Sequence, residues 1–149
     1  MEAKKTKAEF EQKMIKLRRV TRVVKGGRRF SFSAVLIAGD RQGRVGLCVG
    51  KASDVSQAIE KAFRDAKKNM LKLNLTKTNS LPYDLTAKFC GSVVKLWPAA
   101  GRGVVAGSAA RVILELGGAH DVGAKFVSKS KNKLNNARAT MKALELIAV

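Results

Sequence analysis

Val20, Val23 and Val24 alternate with cations along Met14–Val24, and the chain then meets Gly26-Gly27. Beyond that turn, Phe30, Phe32, Ala34, Leu36 and Ala38 fall at every second position, the period that puts one set of side chains on one face of a strand. The pattern predicts strands over 14–24 and 30–38, a hairpin turn at Asp40-Arg41-Gln42-Gly43 and a third strand over 44–50. The face carrying Phe30 and Phe32 is expected to pack against a helix. The period then changes: Val55, Ile59, Ala62, Phe63, Ala66, Met70 and Leu73 recur at helical spacing. Ser53 or Asp54 can cap this helix, Gln57 or Glu60 can support its first turn, and Asp65 can pair with Lys61 and Lys68. The first unit therefore reads β-β-β-α.

Asn74 to Asp84, rich in Thr, Asn and Ser and carrying Pro82, reads as a connection, with 77–84 as the linker proper. Thr86–Cys90 and Val93–Trp97 are expected to form a hairpin about Gly91-Ser92. A glycine-rich loop, Pro98 to Gly107, leads to a helix capped by Ser108, with Val112, Ile113 and Leu116 on its apolar face and Gly117-Gly118 as its stop. His120–Val127 reads as a strand and 128–133 as a basic loop. The last helix begins near Asn135 and buries Ala137, Met141, Leu144 and Ala148. The second unit therefore reads β-β-α-β-α. The expected organisation is a polar leader over 1–12, a first domain over 13–76, the linker, and a second domain over 85–149. No internal repeat is evident.

Charge sharpens this picture. The chain has 149 residues, of which 46% are hydrophobic, enough for packed cores. It carries 30 Lys and Arg against 11 Asp and Glu, a net charge of +19, and a surface that positive calls for a polyanionic partner. The charge is clustered: between Glu11 and Asp40 stand Lys13, Lys16, Arg18, Arg19, Arg22, Lys25, Arg28 and Arg29, with no acid. Valines and phenylalanines interleave with them, so the run reads as a structured basic strand–loop–strand rather than a disordered arm, suited to a phosphate backbone. Further basic zones lie around Lys61, Arg64, Lys68 and Lys72, and over Lys125–Lys133 with Arg138. No apolar stretch reaches membrane-spanning length, and no signal or transit peptide is expected.

Other chemistries find little support. Gly46-Leu47-Cys48-Val49-Gly50-Lys51-Ala52-Ser53 has three residues between its glycines, where a nucleotide-binding P-loop has four, and Ala follows the lysine; Lys51 can still meet a phosphate near the next helix. The Gly101-x-Gly103-x-x-x-Gly107 spacing is one residue too long for a dinucleotide loop, leaving Arg102 as a contact candidate at a flexible turn. His120 is the single histidine and has no nucleophile nearby, and Asp121 is only its chain neighbour, so no catalytic residue is assigned. Cys48 and Cys90 lack metal-site spacing and read as buried, reduced thiols. No metal or cofactor is expected. Aromatics are only 5% of residues, and this favours recognition of structured RNA by shape and phosphates over base stacking.

Three motifs of the first half carry a resemblance: Val24-Lys25-Gly26-Gly27-Arg28-Arg29-Phe30-Ser31-Phe32, Gly39-Asp40-x-x-Gly43-Arg44-Val45-Gly46, and Val49-Gly50-Lys51-Ala52. The second half adds Pro98-Ala99, Gly101 to Gly107, Ala109-Ala110-Arg111 and Asn135-Asn136-Ala137-Arg138-Ala139-Thr140. Over roughly residues 10–147 the chain resembles the bacterial small-subunit ribosomal protein S5 family. The resemblance implies an α+β fold: a double-stranded-RNA-binding-like β-β-β-α domain, then a small β-β-α-β-α domain with a left-handed crossover. It implies binding to small-subunit ribosomal RNA, proximity to messenger RNA at its entry channel, and contact with the neighbouring proteins S4 and S8. It also implies a cytoplasmic, ribosome-bound protein. Val20, Thr21, Arg22, Gly26 and Gly27 match the family's extended loop, where changes confer spectinomycin resistance. Gly101, Gly103 and Arg111 match the region facing S4, where changes alter decoding accuracy; Arg102 stands where an acid is common, in a loop that is shorter here.

The residues expected to touch RNA are Arg18, Arg19, Arg22, Lys25, Arg28, Arg29, Lys51, Lys61, Arg64, Lys68, Lys125, Lys129, Lys131 and Arg138. Those expected at a protein interface are Gly101, Arg102, Gly103 and Arg111. The rival readings are a free-standing double-stranded-RNA chaperone or regulator and, more remotely, an RNA-processing or nucleotide-using enzyme.

Overall fold

The computed structural model describes residues 9–148; most of the expected leader lies outside them. Among the described residues, eight strands form two four-stranded sheets, accompanied by three helices. The first sheet has the order β1 (Glu11–Val24), β2 (Gly27–Gly39), β3 (Arg44–Ala52), β4 (Leu71–Lys72), all antiparallel. Helix α1 (Val55–Lys68) lies between β3 and β4 in sequence. The second sheet has the order β5 (Leu85–Phe89), β6 (Ser92–Pro98), β8 (Val122–Phe126), β7 (Val104–Val105). Strands β7 and β8 are parallel neighbours joined through α2 (Ser108–Leu116), and α3 (Lys133–Glu145) packs on β5 and β6. The chain thus has the two-unit α+β architecture expected from sequence, with two very short strands, β4 and β7, added. Two residues are too few to carry an alternating pattern, so neither was visible in the sequence.

Helix α1 covers the face of the first sheet that holds Leu36 and Ala38, and meets it through Ala62 and Ala66. The approach is close because the facing strand positions are glycines. A Cβ on Gly46 would strike the Ala66 carbonyl, and one on Gly50 the Ala58 carbonyl and Ala62. The buried stripe of α1 is therefore Ala58, Ala62 and Ala66, flanked by half-buried Ile59, Phe63 and Met70. Asp54 occupies the N-cap position without a side-chain cap bond, and Asp65 makes no ion pair with Lys61 or Lys68 among the described residues. Lys72 lies in β4, off the helical row expected for it.

The two units share one core. Ile37, Val45 and Leu73 cluster with Leu85, Leu96, Ile113, Leu114, Leu116 and Leu144. The β2–β3 turn plugs the end of α2: the Arg41 amide donates to the Leu116 carbonyl at 2.9 Å, and the Gly43 amide to the Gly117 carbonyl at 3.0 Å. Those carbonyls would otherwise be orphaned at a helix end. Gly118 takes a left-handed conformation at φ 77 directly against the Arg41 carbonyl, and Gly39 sits against Leu116 with no room for a side chain. The chain end joins the same seam, as Leu73 bridges Ala148 and the Asn74 amide donates to the Ile147 carbonyl at 3.0 Å.

Several local expectations are corrected. Helix α3 starts at Lys133, capped by Asn132, whose side chain accepts from the Leu134 amide at 3.2 Å. Ser108 is the first residue of α2, and Gly107 is its N-cap. The β5–β6 turn is Cys90-Gly91, and Cys90 holds a left-handed φ of 51. Cys90 is therefore exposed and Cys48 only half-buried, against the expectation of two buried thiols. The apolar neighbours of Cys90 are strand residues, but the thiol itself stands on the turn they enclose.

Candidate nucleic-acid interface

Strand β3 stops pairing at Ala52, opposite Phe32. The β1–β2 pair continues alone from there to the Lys25-Gly26 turn. The five residues from Phe32 back to Gly27 give a two-stranded ribbon projecting about 17 Å past the sheet. Gly27, at φ 135, provides the backbone freedom that closes it. Cross-strand register sorts its side chains by face, since directly opposed residues share one. Arg18 lies opposite Ser33, which lies opposite Lys51; Lys16 lies opposite Val35, and Arg22 opposite Arg29. The alternation places Lys16, Arg18, Arg22, Arg29 and Lys51 on a single face. This is the face away from α1. The second unit covers its lower half at Ile37 and Gly39, and the basic upper half stays open.

The opposite ribbon face carries Arg19, Arg28, Thr21, Val23, Phe30 and Phe32. Phe30 is 47% exposed and does not pack on α1, contrary to expectation, because it lies beyond the end of β3, where the sheet that the helix covers has already stopped. The Arg19 guanidinium instead stacks 4.7 Å from the Phe30 ring centroid. None of Arg18, Arg19, Arg22, Lys25, Arg28 or Arg29 pairs with a carboxylate among the described residues. Arg22 facing Arg29 is a directly opposed like-charge pair, which destabilises an isolated hairpin.

The other expected contacts fall in separate places. Lys51, Lys61 and Arg64 line one open pocket of about 550 Å³ with Gln57 and Glu60, at the start of α1. Lys68 ends that helix, away from the pocket. Lys125 lies on β8, Lys129 and Lys131 on the loop after it, and Arg138 on α3, where its guanidinium stands 5.5 Å from the Phe89 ring. Sequence reasoning missed Lys95, directly opposite Lys125, and Lys142, one helical turn after Arg138. Lys95 pairs with Asp84 at 3.5 Å, and Lys142 donates to the Lys88 carbonyl at 3.3 Å. Helical spacing from Arg138 was the available signal for Lys142.

Gly101, Arg102 and Gly103 form a loop with left-handed φ of 72 at Gly101 and 65 at Gly103. Asp121 holds it: its Oδ1 accepts from the Gly103 amide at 2.9 Å, and its carbonyl accepts from the Ala99 amide at 2.8 Å and the Ser80 hydroxyl at 2.9 Å. Arg102 is exposed. Arg111 is engaged by Glu115 at 2.8 Å, one turn along α2. At the β2–β3 turn, burial raises the Asp40 carboxyl, but the Arg44 side chain and the amides of Gln42 and Arg44 outweigh it and hold the pKa below its ordinary value. Among the described residues no cluster of His, Cys, Asp and Glu could hold a metal ion, and no helix is long and apolar enough to cross a membrane.

A two-unit α+β protein that carries an unneutralised basic ribbon is the class in hand. The family model for "Ribosomal protein S5, N-terminal domain" matches residues 10–74, and that for "Ribosomal protein S5, C-terminal domain" matches 87–148. The chain is 44% identical over 146 residues to small ribosomal subunit protein uS5 of Nostoc punctiforme, covering 97% of this chain and 83% of that one. It is 49% identical over 137 residues to uS5 of Treponema pallidum, covering 91% and 78%. To uS5c of Emiliania huxleyi it is 46% identical over 139 residues, covering 93% and 87%. The chain belongs to the ribosomal protein S5 family, and is a structural rather than an enzymatic protein.

Proposed function

We propose that this chain is a structural constituent of the small ribosomal subunit, in the cytoplasm, and that its β1–β2 ribbon clamps small-subunit ribosomal RNA. The observation that carries this reading is the ribbon itself: Arg18 and Arg19 stand at its base and Arg22, Lys25, Arg28 and Arg29 on its projecting part, none neutralised by a carboxylate among the described residues. RNA phosphates would relieve the Arg22–Arg29 opposition that the free protein carries. Lys51, Lys61 and Arg64 form a second phosphate-binding zone beside the first, and Lys125, Lys129, Lys131 and Arg138 a third on the other unit. The loop bearing Gly101, Arg102 and Gly103, with Arg111, faces the neighbouring protein S4, and S8 is a further neighbour. Support of translational accuracy near the messenger-RNA entry channel follows from that position. The ribbon segment Val20, Thr21, Arg22, Gly26 and Gly27 is the region whose conformation governs spectinomycin sensitivity.

The test is binding to small-subunit ribosomal RNA across a salt series. Neutralising about six phosphates gives a log–log slope of roughly −4 to −5. Replacing Arg28 by Ala should weaken binding and flatten the slope by about one unit. An unchanged slope removes Arg28 from the interface.

A further inference from the structure

We propose that the exposed Phe30–Arg19 stack is a seat for one unpaired nucleobase of the bound RNA. The inference rests on the RNA-binding reading above and adds a site of different chemistry, since a stacking surface recognises a flat ring and a cation recognises a phosphate. Phe30 has no core to fill: it stands on the ribbon beyond the last β2–β3 pair and keeps 47% of its surface in solvent. An aromatic ring held open on a two-stranded element, where only one sheet edge supports it, is placed to be covered by a partner.

The surroundings select what covers it. Arg19 already lies over the ring at 4.7 Å, so the platform is a two-layer stack of ring and guanidinium, both flat and both able to take a third flat layer. Arg28 shares this ribbon face two residues before Phe30, and Val23, 77% exposed, lies opposite Arg28. Arg19 and Arg28 have no carboxylate partner among the described residues. An apolar protein partner would have to bury two unpaired guanidinium groups beside Phe30, which is costly. A nucleotide brings a base for the ring and a phosphate for each flanking arginine. A base inside a continuous duplex is already stacked on both sides and cannot use the seat, so the target is a bulged, looped or flipped-out base next to paired RNA. Ribbon and seat then divide the work. The Arg18, Arg22 and Arg29 face tracks the backbone, and the Phe30 face fixes register at a point where the helix is interrupted.

The experiment uses the full chain and two probes: an RNA hairpin carrying a single bulged 2-aminopurine, and the same hairpin fully paired. The wild type should bind both with steep salt dependence, prefer the bulged one, and quench its fluorescence as the base stacks. Phe30→Leu should lose roughly 5- to 100-fold in affinity for the bulged hairpin. It should leave the paired hairpin and the salt slope unchanged and abolish the quench, whereas Phe30→Tyr should retain preference and quench. Equal melting temperatures for the variants would confirm that an exposed residue was altered without unfolding the ribbon. Should Phe30→Leu affect both hairpins alike, or neither, the stacking seat is wrong while the basic clamp stands. If the wild type binds neither hairpin, the RNA-binding reading falls and the seat falls with it.

Discussion

Asp40 shows how one side chain can hold a turn and two units together. Its carboxylate accepts from the amides of Gln42 at 2.7 Å and Arg44 at 3.0 Å and from the Arg44 side chain at 2.6 Å. The turn so fixed presents the Arg41 and Gly43 amides to the end of α2. Asp40→Ala should cost about 1–3 kcal/mol, measured by urea unfolding, because two amides and a guanidinium lose their acceptor. Because the folded pKa is depressed, the unfolded state binds the proton first as pH falls. The ionised carboxylate's contribution is therefore complete above the ordinary carboxylate value of about 4 and disappears as pH drops through the lower folded value. The stability gap between wild type and Asp40→Asn should be flat near neutrality and shrink in strong acid. A gap that widened there would contradict the assignment. Asp121 plays the same part for the Gly101–Gly103 loop. Asp121→Ala should speed amide exchange at Gly103 and Ala99 with little loss of global stability, read by hydrogen exchange, because it frees one surface loop.

At the scale of elements, the three long strands of the first unit and the helices α2 and α3 match the sequence pattern to within a few residues, whereas α1 stops at Lys68, short of the Leu73 end of its expected stripe, and β4 follows at Leu71. Alternation and helical spacing are direct records of which face is buried. What it did not carry was how closely elements approach. The stripe read from Val55, Ile59, Ala62, Phe63, Ala66, Met70 and Leu73 includes Ala62 and Ala66 but not Ala58, and its period does not show that these alanines sit against Gly46 and Gly50 at the centre of the α1 contact, with Ile59, Phe63 and Met70 at its border. Gly50→Ala should therefore destabilise by about 1–3 kcal/mol, since its Cβ meets helix backbone that has nowhere to go. The exposure of Phe30 was hidden for a related reason: alternation assigns a face, but cannot say where the neighbouring strand ends. On the ribbon, the Arg22–Arg29 opposition invites a trade-off. Arg22→Thr should raise the stability of the free protein by about 0.2–1 kcal/mol at low salt, with the gain fading at high salt, while weakening RNA binding. A variant that lost stability would show that the pair is not repulsive in the free protein.

The whole molecule is two sheets sharing a seam, and the seam was the least legible feature. Separate β-β-β-α and β-β-α-β-α patterns suggest independent domains. Part of what joins them is backbone to backbone, at Arg41, Gly43, Leu116 and Gly117, and leaves no mark on side-chain pattern. Ile37, Val45 and Leu73 of the first unit are buried in one cluster with residues of the second. One cooperative thermal transition is expected, with equal calorimetric and van't Hoff enthalpies; two resolved transitions would show that the seam is weak. The shared core and the backbone bonds of the seam hold the ribbon and the Arg102 loop in one body, which the proposed RNA clamp and the proposed protein contact would both use. The basic run is legible from charge alone, and the division of its residues between two ribbon faces comes only with the register. The measurement that tests the central claim most directly is sucrose-gradient sedimentation of a native lysate in high salt, following this chain and a variant with Arg22, Arg28 and Arg29 all replaced by Ala. The wild type should travel with the small ribosomal subunit and the variant should shift toward the free fractions. A wild-type chain that stayed at the top of the gradient would contradict its place as a structural component of that particle.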